Sequence, residues 1–221
     1  MGTAFSGDGP IKVAVVTGRH AFDVPGLHAL FRRMHDVDPY FQHVRNLAAD
    51  QGGVREDYDV ILFYHWHKQT PAGDWPAELG RPALDALGQT DQGIVVLHHA
   101  LLCHDGWPPW TALTGIPDRS VEVRHGETLH VEIADPDHPI TRGLAAWDIV
   151  DEPYRMAEPD ADSRRLLTTD HPHSMQTLAW TRRYRASRVF CLELGHDDVA
   201  YTNPNFQTVL HRGISWCARE I

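Results

Sequence analysis

Cysteine is scarce in this chain: Cys103, Cys191 and Cys217 are the only thiols in 221 residues. An odd, sparse set without CxxC spacing excludes a disulfide framework and a thiolate zinc site, and it fits a reducing, cytoplasmic setting. Long apolar runs are missing too, and none approaches the ~20 residues of a membrane span. Met1–Pro10 lacks the basic-then-apolar pattern of a secretory leader, so none is expected. Positive charge is outweighed, with 20 Lys and Arg against 30 Asp and Glu and a formal charge of −10. That argues against nucleic-acid binding, which needs a basic surface, although partial protonation of histidines near pH 6 would cancel some of the charge. No Gly-rich loop ends in Lys-Ser/Thr and no GxGxxG follows the first strand, so no nucleotide cofactor is expected. The G-x-S-x-G elbow and the HExxH zinc helix are likewise absent. Repeats, low-complexity segments and linkers are not seen.

Histidine is what the chain has in excess, with 16 residues. Four short apolar runs each deliver one or more at their downstream end: Val13–Thr17 leads to His20, Val60–Tyr64 to His65 and His67, Gly93–Leu97 to His98 and His99, and Val189–Leu194 to His196. Continuous apolar runs of this length read as strands buried on both faces. Open α/β sheets bind ligands outside the carboxyl ends of their strands, so the four runs point to one pocket.

The remaining elements follow from local signals. Pro25 opens a helix with Leu27, Leu30, Phe31 and Met34 on one face. Phe41–Leu47 is a weaker strand candidate, and Pro71–Pro76 a loop. A helix over Glu78–Leu87 stops at Gly88. Ser120–Ile133 alternates as an antiparallel hairpin turned near His125-Gly126. Asp148–Met156, Arg165–Thr168 and Thr177–Arg183 are further strands. Asn203 caps a closing helix with Pro204 at its first position and Phe206, Leu210, Gly213, Ile214 and Cys217 on one face. The expectation is a frayed start over residues 1–10, then one α/β domain over 11–221. Its parallel sheet carries an antiparallel insertion near 120–184.

His98 and His99 are adjacent and would point oppositely in an extended chain. His196 follows Gly195, which lets backbone approach a ligand, and Asp197 or Asp198 could set its tautomer. His20 sits on a strand tip. His65 and Trp66 diverge, whereas His65 and His67 could share a side. Asp151 and Glu152 read as a surface pair, and Trp107-Pro108-Pro109-Trp110 as a sugar-stacking lip or a loop packed on the core. His125, His130, His138, His171, His173 and His211 read as structural or surface residues.

Several motifs then occur in order: Val15-Val16-Thr17-Gly18-Arg19-His20, Gly93–Ala100, Asp137-His138-Pro139-Ile140-Thr141-Arg142-Gly143-Leu144, Asp151-Glu152-Pro153-Tyr154, Leu194-Gly195-His196 and Arg212-Gly213-Ile214-Ser215-Trp216. Together they resemble the ThuA-like family, named for trehalose utilisation and similar in architecture to class I glutamine amidotransferases. The resemblance spans about Ile11–Ala218. It implies a flavodoxin-like three-layer sandwich and a role in carbohydrate catabolism on sugar or keto-sugar derivatives. It also raises Glu152, and less strongly Tyr154, as pocket groups. Amidotransferases carry a nucleophilic Cys after the strand equivalent to Gly93–Leu97. Here that turn reads His98-His99-Ala100-Leu101, with Cys103 displaced, so a thiol glutaminase is not expected.

The residues expected to do chemistry are His98, Glu152 and His196, with His20, His65, Trp66, His99, Asp151 and Tyr154 binding substrate. Imidazoles suit proton transfer near neutrality, as an isomerase or hydrolase requires. Several imidazoles and one carboxylate also suit Zn²⁺ or a similar divalent ion, and whether one binds stays open. The expected ligand is a small carbohydrate, and a homodimer stays open. The alternatives are a noncatalytic sugar- or metal-binding module and a subunit acting with a dehydrogenase.

Overall fold

The structure is a computed structural model, and it describes residues 9–69 and 77–221. The expected frayed start up to Asp8 and the Pro71–Pro76 loop lie outside the described residues.

Five parallel strands form the frame: β1 (Ile11–Gly18), β2 (Val37–His43), β3 (Val60–His65), β4 (Gly93–Leu97) and β11 (Ser187–Leu192). They lie in the order β2-β1-β3-β4-β11, the doubly wound order of flavodoxin-like sheets. All residues of β3 and β4 are buried, as continuous apolar runs with helices on both faces require. The antiparallel strands β6 (Glu127–Ile133), β7 (Trp147–Asp151), β9 (Arg164–Thr168) and β10 (Thr177–Tyr184) extend the same sheet beyond β11, giving nine strands. The insertion is therefore a sheet extension within one fold.

Two apolar layers cover the sheet. On one face Val13, Val15, Leu62, Tyr64, Leu97 and Phe190 pack with α1 (Val24–Phe31), α5 (Asp198–Thr202) and α6 (Pro204–Cys217). On the other, Ala14, Val16, Ile61, Phe63, Val96 and Cys191 pack with α2 (Val44–Ala49), α3 (Ala77–Asp85) and α4 (Pro108–Thr114). Asn203 caps α6 as expected, its side-chain oxygen accepting from the Asn205 and Phe206 N–H groups. No described helix is long and apolar enough to cross a membrane.

Four expectations change. Phe41–Leu47 splits, because the His43 imidazole caps a helix by accepting from the Arg45 N–H at 3.1 Å. The 120–133 hairpin does not form: β5 (Glu122–Val123) pairs with β8 (Tyr154–Arg155), while β6 pairs with β7 and β9. Asp148–Met156 breaks at Glu152-Pro153, where proline has no N–H to donate. Trp107 and Trp110 are buried in the core, with Trp110 donating to the Ala100 carbonyl at 3.2 Å, so they form no sugar-facing lip.

Gly213 lets α6 lie against β11. A Cβ there would sit 2.2 Å from Phe190 Cδ1 and 2.3 Å from Cε1. Gly213→Ala is expected to destabilise by about 1–3 kcal/mol in urea unfolding at unchanged m-value. A loss below about 0.5 kcal/mol, the level of a neutral surface change, would show that this contact does not set the helix–sheet spacing.

Candidate active site at the carboxyl edge of the sheet

The carboxyl ends of β1, β3, β4 and β11 bring His20, His98, His99 and His196 together. The His98 and His196 rings lie 5.3 Å apart, His20 and His196 6.0 Å, and His20 and His99 4.2 Å in a stack. This is the edge where the order reverses between β1 and β3. His98 occupies the first position after β4 and has φ 49°. A non-glycine residue in the left-handed region costs about 1–3 kcal/mol and gathers at functional turns. Because a 3₁₀ turn (His98–Leu102) starts there, His98 and His99 do not diverge as extended geometry would require; their rings are 5.6 Å apart.

Asp151, the last residue of β7, joins the insertion to this edge. Its buried carboxylate accepts from the N–H groups of Glu152 (2.8 Å) and His196 (3.0 Å) on Oδ1 and of Gly195 (2.7 Å) on Oδ2. From the other side the Tyr64 hydroxyl donates to the Gly195 and His196 carbonyls at 3.1 and 3.0 Å, and it meets the Tyr201 hydroxyl at 2.5 Å. The loop carrying His196 is thus held by both its N–H and C=O groups. Gly195 is required by its own φ of 115° and by Phe206, whose ring would lie 2.9 Å from a Cβ. Packing, more than ligand approach, selects that glycine. Asp197 does not set the His196 tautomer; it caps α5.

Glu193, just past β11, positions His98. Its main-chain oxygen accepts from His98 Nδ1 at 2.5 Å, and its side chain accepts from the Tyr154 N–H at 2.7 Å. A carbonyl can only accept, so Nδ1 carries the proton and neutral His98 presents its Nε2 lone pair inward. Nε2 lies 2.7 Å from the Tyr154 hydroxyl and 3.5 Å from Glu152 Oε1. The second oxygen of Glu152 faces His196 Nδ1 at 3.4 Å and touches His125 Nδ1.

These contacts drive the two imidazoles apart. Burial, the strongest influence on His98, lowers its pKa. The Glu152 hydrogen bond and the charges of Asp151 and Glu193 overcome this and leave it above the ordinary 6.5. Burial and the His98 charge instead leave His196 below 6.5. Glu152 is opposed by burial, yet its hydrogen bond and charge attraction to His98 hold it below the usual carboxylate range. Burial pushes Glu193 up to about 8, so near neutrality the negative charge facing His98 is chiefly that of Glu152 and Asp151. Pairs of groups displaced in opposite directions mark acid and base assignments.

The same three residues fit a divalent metal. One donor atom each from His98, Glu152 and His196 lies within 4.8 Å of the others. The His98 N–H given to a carbonyl is the outer contact that ligating histidines make, and two His with one Glu is a catalytic zinc donor set.

Trp66 and His99 join the wall beside His20, the Trp66 ring 5.3 Å from His20 and His99 donating Nε2 to the Tyr64 carbonyl at 3.1 Å. His65 is not brought to this site. It faces the opposite layer, fully buried, with its Nε2 3.4 Å from His104 Nε2 and its ring 5.3 Å from His67. Asp151 and Glu152 are buried and not a surface pair. His125 was not foreseen: its side chain is 74% exposed yet lies on a carboxylate that is 6% exposed. Only its place on the expected turn hinted at it. Glu193 did carry a signal, an acid inside an apolar strand.

Fold and site together define a flavodoxin-like α/β protein with a histidine cluster at the carboxyl edge of its parallel strands. The chain belongs to the ThuA family, described as trehalose utilisation, which matches residues 12–217. Membership implies a role in trehalose utilisation. Among solved structures, a ThuA-like protein from Parabacteroides merdae is 21% identical with TM-score 0.75, over 96% of this chain and 91% of that one. One from Bacteroides uniformis is 16% identical with TM-score 0.72, over 97% and 94%. A glutamine amidotransferase from Thermotoga maritima is 10% identical with TM-score 0.53, over 93% and 98%. No curated protein sequence matches the chain.

Glu193 generates a pH prediction. Its folded pKa is raised from 4.5 to about 8, so the folded state holds a proton that the unfolded chain releases, and stability falls as pH rises from about 5 to 8. Glu193→Gln keeps the acceptor for Tyr154 and removes this dependence. The variant should gain on wild type across that window, by up to about 4 kcal/mol, in denaturation at pH 5, 6.5 and 8. Parallel stability–pH curves for the two proteins would contradict it.

Proposed function

We propose that the His98–Glu152–His196 cluster is the acid–base centre of an enzyme that moves a proton beside the carbonyl of a keto-sugar, of the kind formed from a disaccharide such as trehalose. The observation that carries this is the opposite displacement of two imidazoles around one buried carboxylate. His196, with its pKa lowered, is a neutral base at pH 7. His98, with its pKa raised, holds a proton more readily and is the group that carries one to the substrate, and Tyr154 shares its Nε2.

In the proposed step His196 removes the proton from the carbon next to the carbonyl. The electron pair of that C–H bond forms a C=C bond while His98 protonates the carbonyl oxygen, giving an enediol. Return of the proton to the former carbonyl carbon, as the neighbouring hydroxyl gives its own proton back to His98, completes an isomerisation with no external oxidant. Glu152 favours protonated His98 and stays ionised between the two rings. His20, Trp66 and His99 supply a ring-lined wall for the sugar. A divalent ion held by His98, Glu152 and His196 would occupy the nitrogen lone pairs that this proton transfer uses, so it would supply Lewis-acid polarisation of the carbonyl in place of that transfer.

The test is proton exchange on the 3-keto derivative of trehalose in D₂O, followed by NMR. Wild type should exchange the proton beside the carbonyl, and His196→Ala should slow this by about 10²–10⁴-fold without a comparable loss of stability. Release of free monosaccharide would assign a hydrolase to the same residues. Binding without exchange or conversion would overturn the reading in favour of a sugar-binding module.

A further inference from the structure

The opposite edge of the sheet carries an unexplained concentration of arginine. In antiparallel pairing Arg183 of β10 lies directly across from Arg188 of β11, and Thr181 directly across from Arg164 of β9. Side chains two apart share a face and cross-strand partners share it too. Arg164, Thr181, Arg183 and Arg188 therefore project together from the α6 side. Trp216 of α6 walls the space, with the Arg188 guanidinium 4.9 Å over its ring. The result is a cleft of about 450 Å³, in a chain whose formal charge is −10.

Like charges directly opposite on a sheet are destabilising, and little here offsets them. Arg188 donates to the Trp216 carbonyl at 2.8 Å and to the Ile221 oxygen at 3.3 Å, and it has no Asp or Glu partner among the described residues. Arg183 is exposed and has no ion pair among the described residues. The charges of Arg219 and Arg183, after burial, lower the Arg188 pKa, which registers the same repulsion. Arg164 pairs with Asp135 at 2.5 Å, and Asp162 is the acid that lines the cleft. Arg182, on the other face, donates its Nη1 to Asp160 and Ser163, so its charge is paired away from the anion.

We propose that this cleft is an anion-binding site for a phosphomonoester, as carried by a sugar phosphate. Guanidinium groups bind phosphate oxygens in pairs of parallel hydrogen bonds. Two arginines without an acidic side-chain partner, with Arg164 and the Thr181 hydroxyl beside them, match a dianion better than a single carboxylate. Arg188 is the second residue of the strand whose far end leads to His196, and β11 spans about 13 Å from Arg188 to Leu192 at ~3.3 Å per residue. The site is therefore separate from the histidine cluster and is independent of the proposed reaction.

Glucose 6-phosphate and inorganic phosphate are titrated into the full chain by calorimetry, against glucose and against KCl at matched ionic strength. Both phosphates should bind, the sugar ester more tightly if Trp216 contributes, while glucose and KCl should not. Arg183→Ala should weaken binding about tenfold or more, the size of a lost charged hydrogen-bond pair, and Arg183→Lys should fall between. Arg183 is exposed, without an ion pair and opposite a like charge, so this variant should not lower the Tm. Arg32→Ala, which makes the same change in net charge at the end of α1, should leave binding intact. Phosphate binding no stronger than the KCl effect, or equal loss in Arg32→Ala and Arg183→Ala, would overturn the proposal.

Discussion

Everything in the histidine cluster at the carboxyl edge hangs on the carboxylate of Asp151. It ends β7, at the far end of the antiparallel extension, yet its hydrogen bonds go to the loop after β11, where the parallel frame meets that extension. Three N–H groups converge on it, and one belongs to Glu152 itself. A buried carboxylate is tolerated where such donors replace the water it has lost. By tying β7 to the His196 loop, this contact sets Glu152 between His98 and His196. Without the insertion, the parallel frame would offer imidazoles but no acid to couple them.

The coupling explains why two histidines in one cluster behave differently. Both lose water on burial, which favours the neutral ring. His98 recovers its proton because Glu152 faces its Nε2 and a carbonyl accepts from its Nδ1. His196 meets Glu152 at a similar distance, but it also bears the repulsion of His98, and burial prevails. The left-handed backbone of His98 belongs to the same arrangement: it turns the chain sharply after β4 and aims the ring at Tyr154 and Glu152. Cys103, five residues on, is buried and donates to the His65 carbonyl, so no thiol reaches the cluster.

Much of this was legible in the sequence. Uninterrupted apolar runs marked β1, β3, β4 and β11, and the histidines after them marked the edge where the site lies. Asn203-Pro204 fixed the start of α6 to the residue. What stayed hidden was whatever depended on pairing between distant segments. The alternation in 120–133 was real, but local pattern does not say which strand β5 will join. The anchoring role of Asp151 stayed hidden because nothing nearby reveals that backbone donors some 44 residues away would claim its carboxylate. His65 followed the same strand-then-histidine rule as His98 yet turned to the other layer, since the period of two sends alternate residues to opposite faces. His125 was invisible because a turn residue carries no periodic signal at all.

The account stands or falls on the asymmetry between His98 and His196, and ¹⁵N NMR of the imidazoles across pH 4–9 measures it directly. His98 should titrate above 6.5 and keep its proton on Nδ1 when neutral, while His196 should titrate below 6.5. Replacing Asp151 by Asn should narrow the gap between them. Two histidines titrating together, or in the reverse order, would contradict the assignment of base and acid and with it the reading of the site.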